Sequence, residues 1–172
     1  GYEGTSLTDV ANEVGIKKQS ICSHFKSKEE LFITVMNDVI KEESEYLDYF
    51  FDKSYDNLKG YLEKFILQIK KRYAKEEQNS MQFILRMAYM PPLHLKEEVI
   101  NNFNIYFLKL ENLIKDLFLE DLFLEEKANM ATLSFMNMLN GLLVILIYGG
   151  CERFDLKFKA SWKVYWAGLN KE

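Results

Sequence analysis

Apolar side chains recur every three or four residues along almost the whole chain, and the stretches that break this rhythm are short and polar. That spacing puts the apolar residues on one side of an α-helix. Leu7, Val10, Ala11 and Val14 make the first stripe, and Gly15 closes it, since glycine readily takes the left-handed backbone that ends a helix. Thr5 or Ser6 can cap this helix, with Asp9 placing negative charge at its positive end. Ile16, Ile21 and Phe25 are predicted to form the buried side of a second short helix. Ser27 followed by Glu30 is a capping box that starts a third helix at Lys28. It runs to about Phe51, with Leu31, Val35, Val39, Leu47 and Phe50 near one side.

Tyr55-Asp56-Asn57 is a plausible break, after which Leu58, Tyr61, Leu62, Phe65, Ile66, Ile69 and Tyr73 give a strong helical stripe. A polar interruption from Lys75 to Ser80 precedes a short helix, Met81 to Tyr89. Pro91-Pro92 ends it, because proline removes a donor and disfavours helix in the residue before it. A long helix from about Leu95 to Phe118 turns Val99, Phe103, Tyr106, Phe107, Leu110, Leu113, Ile114 and Leu117 inward. Glu125 to Tyr148 follows, closed by Gly149-Gly150, and Leu156 to Leu169 is the last helix. No strand-like alternation stands out, so the predicted fold is all-α, with eight helices in this sequence.

Composition agrees. Only two prolines and eight glycines in 172 residues leave few helix breakers, and a 48% hydrophobic share implies extensive buried surface. The net charge of −4 excludes a general polycation, so any affinity for nucleic acid must come from a local patch. Cys22 and Cys151 stand alone, which fits a reducing cytoplasm. The uninterrupted apolar run Leu142–Tyr148 is far below the roughly 20 residues that span a bilayer, so a buried helix is expected and no membrane partner.

A local patch does exist. Between Lys17 and Lys28 lie four lysines, one histidine and no acid. Lysines there can neutralise phosphates, Gln19 could make a bidentate contact to adenine, and Ser20 and Ser23 could donate to phosphates or base edges. Two short helices joined at a glycine form a helix-turn-helix, which presents its second helix to the DNA major groove. The residues alone leave open a solvated helical hairpin with a lysine-rich face.

The order of residues narrows the choice. Leu7-Thr8-Asp9-Val10-Ala11, then Val14-Gly15-Ile16, then His24-Phe25-Lys26-Ser27-Lys28-Glu29-Glu30-Leu31 resembles the DNA-binding domain of the TetR/AcrR family of bacterial regulators. The resemblance covers about the first forty residues. It implies a DNA-binding domain over residues 1–40 and a helical effector-binding and dimerisation domain over 41–172. It further implies that Thr5 and Ser6 anchor a phosphate and that Lys17, Lys18, Gln19 and Ser20 lie in the major groove. Ser23 and His24 would sit near the sugar-phosphate edge, and Lys28 would hold a further phosphate. Cys22 stands where the family usually has an aromatic residue, and Gln19 where it has a small one, so the preferred operator should differ. The three arginines, Arg72, Arg86 and Arg153, fall outside the motif, which favours A·T pairs over arginine readout of guanine. The family also has a helix ahead of the motif, which this sequence lacks, making nine helices in the intact protein.

Two further sites are expected. Met136, Leu139, Gly141, Leu143, Trp162 and Trp166 on the last two helices are assigned to a homodimer interface, because so wide an apolar surface is hard to bury in one small body. The alternative is that these helices complete a monomer core. Tyr61, Phe65, Ile69, Phe83, Arg86, Met87, Met90, Phe103, Tyr106 and Phe107 lie where the family places its effector cavity, and aromatics with methionines suit a flat apolar ligand. Ordinary core packing is the alternative for each of them.

Catalysis has little support. His24 and His94 are the only histidines, and no metalloprotease motif, phosphate loop or nucleophile elbow occurs. Paired acids such as Glu42-Glu43 read as solvated helix faces. The sequence thus predicts a cytoplasmic, homodimeric transcriptional repressor, not an enzyme, released from double-stranded operator DNA by a small apolar effector, with no cofactor. The alternative is a helical ligand-binding or protein-interaction module that does not read DNA.

Overall fold

The structure, a computed structural model, describes residues 1–75, 79–122 and 124–169. Seven α-helices account for most of it: α1 (Leu7–Val14), α2 (Lys18–His24), α3 (Lys28–Phe51), α4 (Leu58–Ala74), α5 (Asn79–Tyr89), α6 (Lys96–Leu122) and α7 (Glu125–Leu169). A single 3-10 turn, Leu93–Leu95, joins α5 to α6 behind the two prolines. Among the described residues there is no strand.

Helix ends follow local chemistry. Ser6 caps α1, Ser27 caps α3 and Asn57 caps α4, each accepting a backbone N–H that has no partner within its helix. Gly15 ends α1 with φ of 75°, and Gly150 breaks α7 with φ of 73°. The glycine is required at both places, because an L side chain is strained there. α7 is therefore two arms, 125–149 and 151–169, which fold back on each other. Trp162 meets Phe135, and the Tyr165 hydroxyl donates to the Ala131 carbonyl at 2.7 Å. The last helix thus starts at once after Gly150 and not near Leu156.

α3 is the spine. It is continuous for 24 residues and crosses the boundary expected near residue 40 without a break. Its inward side differs from the predicted stripe at the start: Phe32 and Met36 are buried, whereas Val35 is exposed. The larger side chains win that side because Tyr2, α5 and α6 all close on it. Further along, Leu47 and Phe50 are buried as expected, and Phe50 packs on Tyr61 and Phe65 of α4 with ring centres 5.0 and 5.3 Å apart.

Glu43 corrects the expectation of a solvated acidic face. It is 1% exposed and accepts a two-pronged bond from the Arg72 guanidinium, which itself lies 4.0 Å over the Tyr46 ring. The fork geometry saturates both carboxylate oxygens, and the stacked ring shields the cation, which makes a charge in the interior tolerable. Lys109 of α6 secures the same stretch of α3, donating to Ser44 O at 3.1 Å and to Asp48 at 2.6 Å.

α7 is, by length and composition alone, apolar enough to cross a membrane. In the chain its inward residues, including Phe135, Leu139, Leu146 and Phe154, are instead fully buried against the rest of the body.

Arg72→Leu is expected to cost roughly 3–5 kcal/mol, since Glu43 would remain buried without a counter-charge. Glu43→Leu is expected to cost less, because the Arg72 side chain, 18% exposed, can turn to water. Urea unfolding followed by tryptophan fluorescence gives the order, and equal losses would show that the pair is not asymmetric.

Candidate nucleic-acid interface

The motif folds as two short helices held by few buried side chains. Ala11 and Ile21 are buried between α1 and α2, Leu7, Val10 and Phe25 are half-buried, and Val14 and Ile16 on either side of Gly15 stay exposed. Placing Val14 and Ile16 on the buried side is thus corrected: the left-handed turn at Gly15 carries both outward.

With only Ile21 turned inward, α2 leaves Lys17, Lys18, Gln19, Ser20, Cys22, Ser23 and His24 exposed on one short element. The seven share about two helical turns, a length that fits a major groove. Among the described residues no acid lies on α2 or caps it. The Ser23 hydroxyl donates to Ser20 O at 2.7 Å, which leaves its oxygen free to accept. Cys22 is a free, exposed thiol.

Thr5, Ser6, Lys18 and Lys28 come together around an open depression of about 400 Å³ at the start of α1. Their hydrogen bonds limit the roles that the resemblance implies. The Ser6 hydroxyl donates to Asp9 at 2.6 Å, and the Ser6 backbone N–H donates to the same carboxylate at 2.8 Å. These bonds hold the Asp9 carboxyl below the usual carboxylate range. The Thr5 hydroxyl donates to Gly1 O at 2.8 Å. Lys28 turns its ammonium inward, donating to Tyr2 O at 2.9 Å and Thr5 O at 3.1 Å while lying 4.2 Å over the Tyr2 ring. An ammonium has three N–H bonds, so one remains for a phosphate. Lys28 is thus first a brace that ties residues 1–6 to α3.

Eight of the ten expected effector residues belong to, or pack against, the one hydrophobic core of the body. Tyr61 and Phe65 pack around Phe50 and Phe51 at the far end of α3, with the Tyr61 hydroxyl donating to Phe50 O. Phe83 lies 5.8 Å from Phe32 at the opposite end of that helix. Ile69, Phe103 and Tyr106 are buried, and Met87 and Phe107 half-buried. Burial pushes the Tyr106 hydroxyl well above its ordinary range, with the Glu43 charge adding to the effect. Arg86 and Met90 are exposed, and Met90 accepts from the Tyr148 hydroxyl at 2.8 Å. The surface depressions at α1, at α7, between α4 and α7, and at the start of α6 are lined by other residues.

Five of the six residues expected between copies, Met136, Leu139, Leu143, Trp162 and Trp166, are buried inside the chain itself. The fold-back at Gly150 turns the largest faces of both arms toward each other and toward α6, where Trp166 meets Phe118. Gly141 is exposed, and nothing lies within 4 Å of where its Cβ would stand. Around it Met130, Leu133, Val144 and Tyr148 are exposed on the first arm, and Leu156 and Val164 on the second.

Sequence reasoning missed two groups that tie the parts together, Glu43 with Arg72 and His94 with Tyr2. Their partners are 29 and 92 residues apart, so no local period could reveal them.

Comparison with known proteins bears on the same segment. Residues 1–35 match the profile of "Bacterial regulatory proteins, tetR family". The biofilm operon icaADBC HTH-type negative transcriptional regulator IcaR of Staphylococcus epidermidis is 35% identical over 77 residues, 44% of this chain and 42% of that protein. The protein of the same name from Staphylococcus aureus strain Newman is 34% identical over 82 residues, again 44% of this chain and 42% of its own length. The aligned region thus spans about two fifths of the curated relatives. These relatives are transcriptional regulators, not enzymes. An exposed, acid-free second helix behind a capped first one thus lies within the segment that matches this profile, and residues 1–35 are similar to the helix-turn-helix segment of tetR-family regulatory proteins.

Proposed function

We propose that the protein is a homodimeric transcriptional repressor that binds double-stranded operator DNA through α2 and is released by a small apolar effector. The observation that carries the DNA-binding part is the face of α2, where Lys17, Lys18, Gln19, Ser20, Ser23 and His24 are all exposed and no acid intervenes. Repression draws further support from the IcaR relatives, whose name describes negative regulation. Lys17 and Lys18 supply phosphate neutralisation, and Gln19 and Ser20 the base contacts.

Two copies are needed to read paired half-sites about 34–36 Å apart. The exposed residues of α7 offer the contact: between Lys127 and Glu152 the chain carries no charged residue, and Leu133, Gly141, Val144 and Tyr148 recur on the outward face of the first arm. An uncharged helix face with a glycine at its centre allows close approach of a second copy.

α3 is the element through which an effector would act, since it runs from the DNA-binding helices into the body without a break. A ligand lodging near Phe103, Tyr106 and Phe107 would sit beside the stretch of α3 that holds Glu43, and would bias its position through differential binding to the two arrangements.

Lys17→Ala combined with Lys18→Ala is expected to weaken binding to a duplex selected by the protein from a random-sequence pool. It should also flatten the dependence of log affinity on log salt by about 1–2, at ~0.9 per phosphate contact. An unchanged slope would show that these lysines do not meet phosphate.

Leu133→Glu with Val144→Glu is expected to convert a dimer to a monomer in sedimentation while the helical signal is kept. A wild-type chain that sediments as a monomer at micromolar concentration would rule out this interface.

Tyr106→Ala is expected to reduce effector-induced release from DNA without changing affinity in its absence. A screen of planar apolar compounds, scored by loss of the protein–DNA complex, supplies the ligand, and full release of the variant at the wild-type concentration would remove Tyr106 from the site.

A further inference from the structure

His94 stands on the 3-10 turn between α5 and α6 and belongs to the body, yet its ring faces the DNA-binding head. Nε2 lies 3.3 Å from the Tyr2 hydroxyl and 3.7 Å from a Glu29 carboxylate oxygen, and Nδ1 lies 3.5 Å from a Glu3 carboxylate oxygen. The Tyr2 and His94 rings are 5.3 Å apart. Among the described residues, the hydrogen bonds and ion pairs that join residues 1–27 to anything beyond α3 all run through this one side chain.

Its partners are themselves braced. Tyr2 rests with its ring edge on Phe32 at 4.9 Å and under the Lys28 ammonium at 4.2 Å. Burial, with Glu29 and Glu3 adding to it, raises the Tyr2 hydroxyl above its ordinary range, so it stays a neutral donor and acceptor. Glu29 is held below the usual carboxylate range first by its own backbone N–H at the start of α3 and then by Ser27, and so keeps its charge.

We propose that His94 is a positioning residue that latches the DNA-binding head to the body, and that its protonation tightens the latch. This rests on the DNA-binding reading above. Neutral imidazole can donate from one nitrogen and accept from the Tyr2 hydroxyl at the other, but it leaves Glu29 without a donor. Imidazolium places a positive charge between Glu3 and Glu29 and donates from both nitrogens. One is directed at Glu3, the other at Tyr2 and Glu29. The charged groups around the ring are Glu3 on the N-terminal strap, Lys28 and Glu29 at the start of α3, and Lys96, Glu97 and Glu98 in its own following turn. Acids outnumber lysines on both sides. Lys28 also directs its charge at two carbonyls and the Tyr2 ring. A head held at a fixed angle loses less freedom when two copies engage paired half-sites, so the tightened latch strengthens operator binding.

The chain contains two histidines, and the other, His24, lies on the DNA-facing helix. The test is therefore made in a His24→Gln background. Affinity for the selected duplex is measured at fixed salt between about pH 7.5 and 5.5, the window in which histidine changes charge. It should rise about threefold to tenfold as the pH falls. Adding His94→Gln should abolish the rise, and His94→Lys, charged throughout, should give the higher affinity at both ends. A pH slope equal with and without His94, or no slope at all, overturns the proposal. A dye on Cys22 in a Cys151→Ser variant reads the motion of the head without DNA. Its anisotropy should rise as the pH falls with His94 present and stay level in His94→Gln, and a level trace in both overturns the latch even where no duplex is selected. A pool that yields no duplex, with the anisotropy response intact, counts against DNA recognition and not against the latch.

Discussion

The buried pair between Glu43 on α3 and Arg72 on α4 is the constraint on which the rest of the arrangement depends. A charge in the interior is tolerated only when its partner is held in good geometry, so the pair fixes the axial and rotational position of α3 on the body. Tyr46 covers the guanidinium, Tyr106 lies near it in the core, and Lys109 ties the neighbouring turn to α6. With the far half of α3 set in this way, the near half carries the DNA-binding helices at a defined angle. Few hydrophobic side chains hold those helices, so their placement relies on the helix beneath them.

The head compensates with polar bracing. Ser6 and Asp9 satisfy the start of α1, Gly15 makes the turn, and Lys28 ties the first six residues down through two carbonyls and the Tyr2 ring. This bracing uses groups that the family resemblance would give to phosphate, namely Thr5, Ser6 and Lys28. It leaves the face of α2 as the part of the surface without competing intramolecular duties, apart from the short bond of Ser23 to its own helix. A braced scaffold and an exposed, acid-free face thus occupy adjacent sides of the same thirty residues.

The body divides its apolar surface between the core and the outside. α7 is apolar on more than one side, and the fold-back at Gly150 decides which side is consumed by the core. The tryptophans and the large residues at 135, 139, 143 and 146 go inward, where rings stack at 5–7 Å and fill the space. Uncharged residues around Gly141, among them Leu133, Val144 and Tyr148, remain outside. The surface that the proposed dimer would use is therefore the stripe of α7 that the core does not consume.

Much of this was legible in the amino-acid order. The caps at Ser6 and Ser27, the turn at Gly15 and the break at Gly150 are local events, decided by single residues and their immediate neighbours, and they place the helices within a few positions. The α4 stripe from Leu58 to Ile69 is buried as its period requires. The helix-turn-helix was likewise legible, because its signature lies within one short segment. What the sequence by itself determined was therefore the set of helices and the lysine-bearing face of α2. Only the tertiary structure decided that Glu43 is buried and paired, that Val35 and Val14 face outward, that the Trp162 and Trp166 side chains belong to the core, and that His94 reaches Tyr2. The reason is the same in each case: these outcomes depend on which helix lies opposite, and that is set by contacts between residues tens of positions apart, where the chain's local period carries no information.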